Sequence, residues 1–143
     1  MDNAKDAYCL IFINKTKKYR MKKLKCHCGA IEANIHIVEL GKILRCNCSL
    51  CKRKGAVMSM VKNEEFKIIK GSDKLKTYQF HTNVAKHYFC SICGIYTHHN
   101  PRSNPAMTGF NLGCVDEIDT FTLKEILIND GNNPVSYTHL RAH

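Results

Sequence analysis

The most informative stretch of this 143-residue chain is Arg45-Cys46-Asn47-Cys48-Ser49-Leu50-Cys51-Lys52-Arg53-Lys54-Gly55. It holds three cysteines within six residues, followed by three basic residues and a glycine. Sulfur ligands bound at about 2.3 Å around a tetrahedral zinc ion lie roughly 3.8 Å apart, and closely spaced cysteines on a tight turn reach that geometry. Three cysteines leave one tetrahedral position over. The stretch therefore predicts a zinc site that is open to a further ligand.

Two cysteine pairs flank this stretch, at Cys26-His27-Cys28-Gly29 and at Cys90-Ser91-Ile92-Cys93-Gly94. Together they supply four thiols, which is a complete ligand set for zinc, and a glycine after each pair fits the tight turn of a zinc knuckle. Such a site can contribute on the order of 10 kcal/mol to folding. We therefore predict a structural zinc on Cys26, Cys28, Cys90 and Cys93.

The residues alone leave three interpretations of the cluster Cys46, Cys48 and Cys51. It could hold zinc with an open position, or it could be a set of redox thiols. In the third interpretation another protein side chain completes the site and makes it structural. The candidate fourth ligands are His27, His81, His87 and Cys114.

Other cysteines and histidines carry weaker signals. Cys9 and Cys114 stand alone, and a lone cysteine is most often a small buried apolar residue. His98 and His99 are adjacent on a predicted strand, where consecutive side chains point to opposite faces. At most one of the two can therefore face a given metal.

Composition points to a protein that handles anions in a reducing compartment. Nine cysteines without an export signal are typical of metal sites or reactive thiols, so we expect a cytoplasmic location. The formal charge of +10 falls to about +7 once two zinc–thiolate sites are counted. The longest apolar run, Ala7 to Ile13, is far shorter than the roughly 20 residues of a membrane helix, so no membrane partner is expected.

Short alternating segments predict an all-β domain. The only helix-like segment is Asp119 to Leu127. Residues 21–132 form the predicted domain, and Met21 is an alternative start of the protein. The preceding residues 1–20 are predicted to be an extension, in which Tyr8 to Ile13 is an alternative edge strand. The tail at 133–143 resembles a translated cloning adapter. The strand candidates are Ile31–Ile37, Ala56–Val61, Phe66–Lys70, Lys76–Phe80, Lys86–Phe89, Ile95–His98 and Ala106–Asn111.

The order of these motifs resembles a known family. CxCG is followed by CxCxxC with a basic residue and glycine, then by Phe89-Cys90-Ser91-Ile92-Cys93-Gly94 and Asn111-Leu112-Gly113-Cys114-Val115-Asp116. This arrangement, from about Lys22 to Gly131, is similar to that of the glutathione-dependent formaldehyde-activating enzymes and the related centromere protein V group. The resemblance implies a β-tent of stacked short antiparallel sheets stapled by two zinc ions per chain.

The resemblance also implies an activity. The family's named reaction joins glutathione to formaldehyde and is classed with the carbon–sulfur lyases. A thiol such as glutathione and a small aldehyde would then be the partners of the Cys46, Cys48 and Cys51 zinc. Glutathione carries two carboxylates, and Lys52, Arg53 and Lys54 are candidate groups to bind them. The possible general acids are His81, His87, His98 and Tyr96.

Two other functions fit the residues. One is a non-catalytic module, stapled by two zinc ions, whose basic surface binds an anionic protein or nucleic acid. Nucleic acid is the less expected partner, because the lysines are dispersed and no stacking set of aromatics or RNA-binding signature is present. The other is a redox or metal-buffering protein that releases zinc when Cys46, Cys48 and Cys51 are oxidised. The sequence does not indicate an oligomeric state.

Overall fold

The computed structural model describes residues 20–133. The predicted extension at 1–20, with its candidate strand Tyr8–Ile13, and the predicted tail at 133–143 lie outside the described residues, except for Arg20 and Asn133. Arg20 opens the first strand and pairs with Ile37. The domain limits drawn from the sequence remain a prediction.

Short strands dominate the described chain. A single six-residue helix, α1, interrupts them, and single 3₁₀ turns lie at Asn63–Glu65, Ser72–Lys74, Leu112–Cys114 and Thr120–Thr122. The elements are β1 Arg20–Lys25, β2 Glu32–Ile37, β3 Leu44–Cys46, α1 Ser49–Lys54, β4 Met58–Lys62, β5 Phe66–Lys70, β6 Leu75–Tyr78, β7 Lys86–Cys90, β8 Tyr96–Asn100, β9 Met107–Asn111 and β10 Leu127–Asn129.

The strands form two sheets. One has three antiparallel strands in the order β1-β2-β5, and the other has seven in the order β10-β3-β4-β9-β8-β7-β6. In the larger sheet only the β10–β3 pair is parallel, so a late strand of the described chain runs beside the strand that carries Cys46. The β7–β8 hairpin, which turns through the second cysteine pair, pairs His87 with His99.

The main core lies between the sheets. Alternate residues of β2, Ala33, Ile35 and Ile37, are buried, as the two-residue period of a strand with one covered face requires. They pack with Leu24 of β1 and with Phe110 of β9, which are both essentially inaccessible to solvent. Removing this apolar surface from water holds the small sheet against the large one.

The prediction of an all-β domain is confirmed, and each of the seven predicted strands overlaps an observed one. The helix-like segment predicted at Asp119 to Leu127 does not form an α-helix: it contains the 3₁₀ turn Thr120–Thr122 and runs into β10. The one α-helix is instead α1, inside the middle cysteine stretch. No helix in the described part of the chain is long and apolar enough to cross a membrane.

Candidate metal centres and the cavity beside one of them

The four-cysteine cluster, Cys26, Cys28, Cys90 and Cys93, brings four sulfurs within 4.8 Å of one another. The Sγ atom of Cys28 lies 3.7 Å from that of Cys26 and 3.7 Å from that of Cys90. These separations match the roughly 3.8 Å expected between sulfurs that share a tetrahedral zinc ion. The donor set therefore fits a fully protein-ligated metal ion.

Two knuckle turns present these sulfurs. The amide of Gly29 donates to the Cys26 carbonyl and that of Gly94 to the Cys90 carbonyl, and both glycines have positive φ, which a residue with a side chain rarely adopts. Backbone amides also donate to sulfur, from Ile31 to Cys26 at 3.2 Å and from Ile92 to Cys90 at 3.3 Å. Such bonds favour the thiolate, the form that binds metal.

The three-cysteine cluster, Cys46, Cys48 and Cys51, joins the end of β3 to α1, and its sulfurs also lie within 4.8 Å of one another. Cys48 is the N-cap of α1, where its sulfur accepts a hydrogen bond from the Cys51 amide at 3.3 Å. Gly55 ends the helix in the left-handed conformation. One short helical turn thus sets the geometry of the cluster.

The three sulfurs are crowded enough to favour a cation. A hydrogen bond from the Cys51 thiol lowers the pKa of Cys46 to about 5, and the same interaction raises the pKa of Cys51 well above its usual value. A metal ion relieves this competition because it stabilises all three thiolates. Among residues 20–133, no His, Cys, Asp or Glu side chain adds a fourth ligand atom to this group.

A cavity of about 540 Å³ opens in front of the three-cysteine cluster. Its size falls within the range of about 300–1,000 Å³ that is common for small-molecule sites. The loop after β6 contributes Phe80 and His81, the β8–β9 loop contributes Arg102, and the paired strands β7 and β8 contribute His87 and His99. The three cysteines line its wall, whereas none of the four-cysteine cluster does.

The segment after β10 covers one side of the three-cysteine cluster. Asn129 Nδ2 donates to the Cys46 sulfur at 3.5 Å, and the Gly131 amide donates to the side chain of Asn47 at 2.9 Å. A Cβ atom on Gly131 would collide with the Cys46 sulfur and the Cys48 side chain. The bare backbone at Gly131 is therefore what allows this segment to approach the sulfurs.

Four side chains that contact one another form what we call the histidine cluster: Lys54, His87, Tyr96 and His99. Lys54 Nζ lies 3.3 Å from His87 Nδ1 and 3.6 Å from the centre of the Tyr96 ring. The Tyr96 hydroxyl is hydrogen-bonded to His99 Nδ1. The rings of His87 and His99 stack with centroids 5.6 Å apart, which closes the group of four.

Burial keeps both histidines of this cluster neutral near pH 7. It lowers the pKa of His87 to about 4, with help from the positive charge of Lys54. It lowers the pKa of His99 to about 3, again with Lys54 as the second cause. Burial also lowers the pKa of Lys54, while the charges of the three cysteines raise it. In the described chain Lys54 makes no ion pair with a carboxylate, so its negative neighbours are these cysteines in their thiolate form.

The predicted substrate-binding residues Lys52, Arg53 and Lys54 all lie on α1, outside the cavity lining. Lys52 and Arg53 are exposed, and Arg53 donates to the Ser49 carbonyl. Neither they nor Lys54 line the cavity, where the basic side chain other than histidine is Arg102. Their role as carboxylate ligands remains a prediction.

The residues predicted as fourth ligands or as general acids lie in different parts of the structure, and only some of them line the cavity. Cys114 is buried and donates to the Tyr96 carbonyl, as expected of a lone core cysteine, and His27 is exposed beside the four-cysteine cluster. His98 packs between Phe66 and Tyr88, on the face of β8 opposite His99. Of the predicted general acids, only His81 and His87 line the cavity.

The sequence indicated His99 only as a weak metal-ligand candidate, and it predicted neither the place of His99 in the cavity wall nor the contacts of Lys54 with His87 and Tyr96. A hairpin folded about Cys90–Gly94 places His87 directly opposite His99, so the spacing of these two histidines was a usable signal. The contact between Lys54 and Tyr96 carried no such signal, because it joins α1 to a strand distant in sequence.

Comparisons with known proteins agree with this geometry. The model of the family described as glutathione-dependent formaldehyde-activating enzyme matches residues 21–127. The fold is similar to a crystal structure of a Rhodobacter sphaeroides protein, with a TM-score of 0.70 and 39% sequence identity over 75% of this chain and 99% of that one. Because the family match spans most of the chain and includes all seven clustered cysteines, this protein belongs to the glutathione-dependent formaldehyde-activating enzyme family.

Proposed function

We propose that the protein binds a small thiol such as glutathione at the three-cysteine cluster and adds it to formaldehyde or a related small aldehyde, the reaction of a carbon–sulfur lyase run in the synthetic direction. The observation that carries this proposal is the cavity of about 540 Å³ whose wall includes all three sulfurs of a cluster that lacks a fourth protein ligand in the described chain. Family membership supports the same substrate class.

We propose zinc as the metal of both clusters, one ion in each, since all seven ligands are cysteines and zinc is commonly bound by such sets. Zinc at the three-cysteine cluster would supply an open coordination position at which a thiol loses its proton near neutral pH. The four-cysteine cluster would hold the fold.

The chain's own residues contribute position and electrostatics. Lys54 is a half-buried cation close to the three cysteines, and it offsets the negative charge that accumulates when a thiolate enters the cavity. Apolar side chains of Met58 and Phe80 line the same cavity and reduce the access of water to the reacting groups. A thiolate and an aldehyde held together in this space gain from proximity.

The reaction balances without an oxidant or reductant. The thiol releases its proton to solvent, and its sulfur forms a bond to the carbonyl carbon. The π pair of the carbonyl moves onto oxygen, and the resulting alkoxide takes a proton from solvent. The product is an S-hydroxymethyl thioether.

Native mass spectrometry of the reduced, metal-loaded chain with glutathione tests the binding step, with S-methylglutathione as the matched ligand that lacks a thiol. We expect two zinc ions and one added glutathione, and no adduct with the S-methyl compound. Exchange spectroscopy with ¹³C-formaldehyde then measures whether the protein accelerates adduct formation beyond the spontaneous rate. Two zinc ions with neither adduct nor acceleration would refute the proposal and favour a non-catalytic binding module.

A further inference from the structure

His87 and His99 are buried polar groups in the cavity wall, and each already uses one ring nitrogen. Both side chains are less than 10% exposed, at 9% and 8%. A neutral imidazole has one N–H donor and one acceptor, so the partner at Nδ1 decides what Nε2 can do.

Lys54 sets the proton position on His87. An ammonium group has three donors and no acceptor, so the contact between Lys54 Nζ and His87 Nδ1 requires Nδ1 to accept. The single proton of the neutral ring must then be on Nε2. Within residues 20–133 no hydrogen-bond partner of this N–H is found.

Tyr96 does the same for His99. A tyrosine hydroxyl ordinarily has a pKa of about 10, so the phenol of Tyr96 keeps its proton near neutral pH. In the described chain the only partner of this buried hydroxyl is His99 Nδ1, and a buried donor left without an acceptor costs about 1–3 kcal/mol. The hydroxyl therefore donates to Nδ1, and the proton of His99 is also on Nε2.

The position of His99 is built into the sheet. His99 and Gly109 are register partners on β8 and β9, and a Cβ atom at Gly109 would occupy the space of the imidazole ring. His87 stacks on the other side of the same ring with an interplanar angle of 15°. Two neutral rings with the same tautomer are thus held parallel in the wall that also carries the three cysteines.

We propose that His87 and His99 are catalytic hydrogen-bond donors that bind the aldehyde oxygen through their Nε2–H groups, with Lys54 and Tyr96 as positioning residues that fix the two tautomers. This inference rests on the proposed function. As the sulfur–carbon bond forms, the carbonyl π pair moves onto oxygen. The two N–H groups stabilise that developing charge before the oxygen takes its proton from solvent.

The tautomers are tested directly by long-range ¹H–¹⁵N correlation spectra of the full, zinc-loaded chain with labelled histidine. We expect both rings to carry the proton on Nε2 near neutral pH. Lys54→Met should give His87 a mixture of tautomers and leave His99 unchanged, and Tyr96→Phe should do the reverse. Wild-type rings protonated on Nδ1 would overturn the inference.

Kinetics with glutathione and formaldehyde test the role in catalysis. His87→Ala and His99→Ala should each lower kcat by about 10²-fold, the usual cost of losing one oxyanion donor, while glutathione affinity stays near that of wild type. His87→Gln and His99→Gln should recover part of kcat, because the glutamine amide places an N–H close to the position of Nε2.

His98→Gln is the matched control, since His98 is buried on the same strand but faces Tyr88 and Phe66 instead of the cavity. It should leave kcat unchanged, and metal content and melting temperature show whether each variant is folded. Folded alanine variants that keep wild-type kcat would overturn the inference while the proposed function stands. A wild-type protein that neither binds glutathione nor turns over would remove both.

Discussion

The four-cysteine cluster joins two turns of the chain, with its Cys28 and Cys90 sulfurs 62 residues apart in sequence, whereas the three-cysteine cluster comes from one short turn and helix. The first packs against Ile31 and Leu75, and the second faces a cavity whose wall includes the neutral side chains of His87 and His99. The two clusters share a donor chemistry. Their surroundings separate them, because a site linking distant segments carries folding energy, whereas a site with room in front of it can bind a ligand.

Cys90→Ser gives the largest expected effect. Cys90 is fully buried, and its sulfur accepts bonds from the Ile92 and Cys93 amides. Loss of the proposed structural zinc would remove on the order of 10 kcal/mol, comparable to the whole stability of a domain, so we expect an unfolded chain at 25 °C. Circular dichroism and metal analysis measure this. Cys114→Ser, at a buried cysteine outside both clusters, should keep the fold and both metals.

Cys48→Ser should affect function far more than folding. The serine hydroxyl can take over the N-cap of α1, because serine is among the preferred N-cap residues. We expect one metal ion per chain, no glutathione adduct and a largely intact circular dichroism spectrum. If this variant unfolds as Cys90→Ser does, the contrast between the clusters is lost and the three-cysteine cluster is structural as well.

Gly109→Ala should displace His99 in the cavity wall and lower kcat, while both metal ions stay bound. The new methyl group displaces the His99 ring, and overpacking of this kind costs about 1–3 kcal/mol. We expect a lower melting temperature and a reduced kcat with two metal ions retained. Gly41→Ala is the control, since its Cβ would meet no atom closer than 3.8 Å and its φ is not positive. Equal kcat values for the two variants would contradict the prediction.

His98→Phe tests a buried histidine that belongs to neither cluster. Burial lowers the pKa of His98 to about 4, below the unfolded value of about 6.5, so the unfolded chain binds more protons between these values. Stability is therefore lost as pH falls through that window. We expect the phenylalanine variant to lose less, measured by urea unfolding across the same window. Both proteins carry the same cysteines, so metal release contributes equally to each.

Lys52→Ala with Arg53→Ala should have the smallest effect. Both side chains are exposed and outside the cavity lining, and an exposed ion pair contributes at most about 1 kcal/mol. If they bind glutathione carboxylates as the sequence predicts, the affinity loss should be about fivefold or less for each residue and should shrink with added salt. Arg102→Ala, in the cavity wall, is the matched comparison by calorimetry.

The sequence was most informative where the pattern was local. Alternation predicted β2 from Ile31–Ile37, and cysteine spacing predicted the same two sets that the structure brings together. It failed where tertiary contacts decide the outcome. β10 has no strong strand pattern and forms by pairing with β3, and the short α1 is set by the Cys48 cap and Gly55 instead of by apolar periodicity. The histidine cluster required the β7–β8 register, which hydrophobic patterns do not reveal.

The contact between Asn129 and Cys46 also bears on how metal enters the protein. It spans 83 residues, while the three sulfurs lie within six. Closing a long loop costs more entropy than closing a short one, and pairings between distant segments slow folding. A folding chain should therefore assemble its metal ligands before the segment that covers them arrives. Metal loading can then use the uncovered side, and the finished cavity does not have to open to receive its ion.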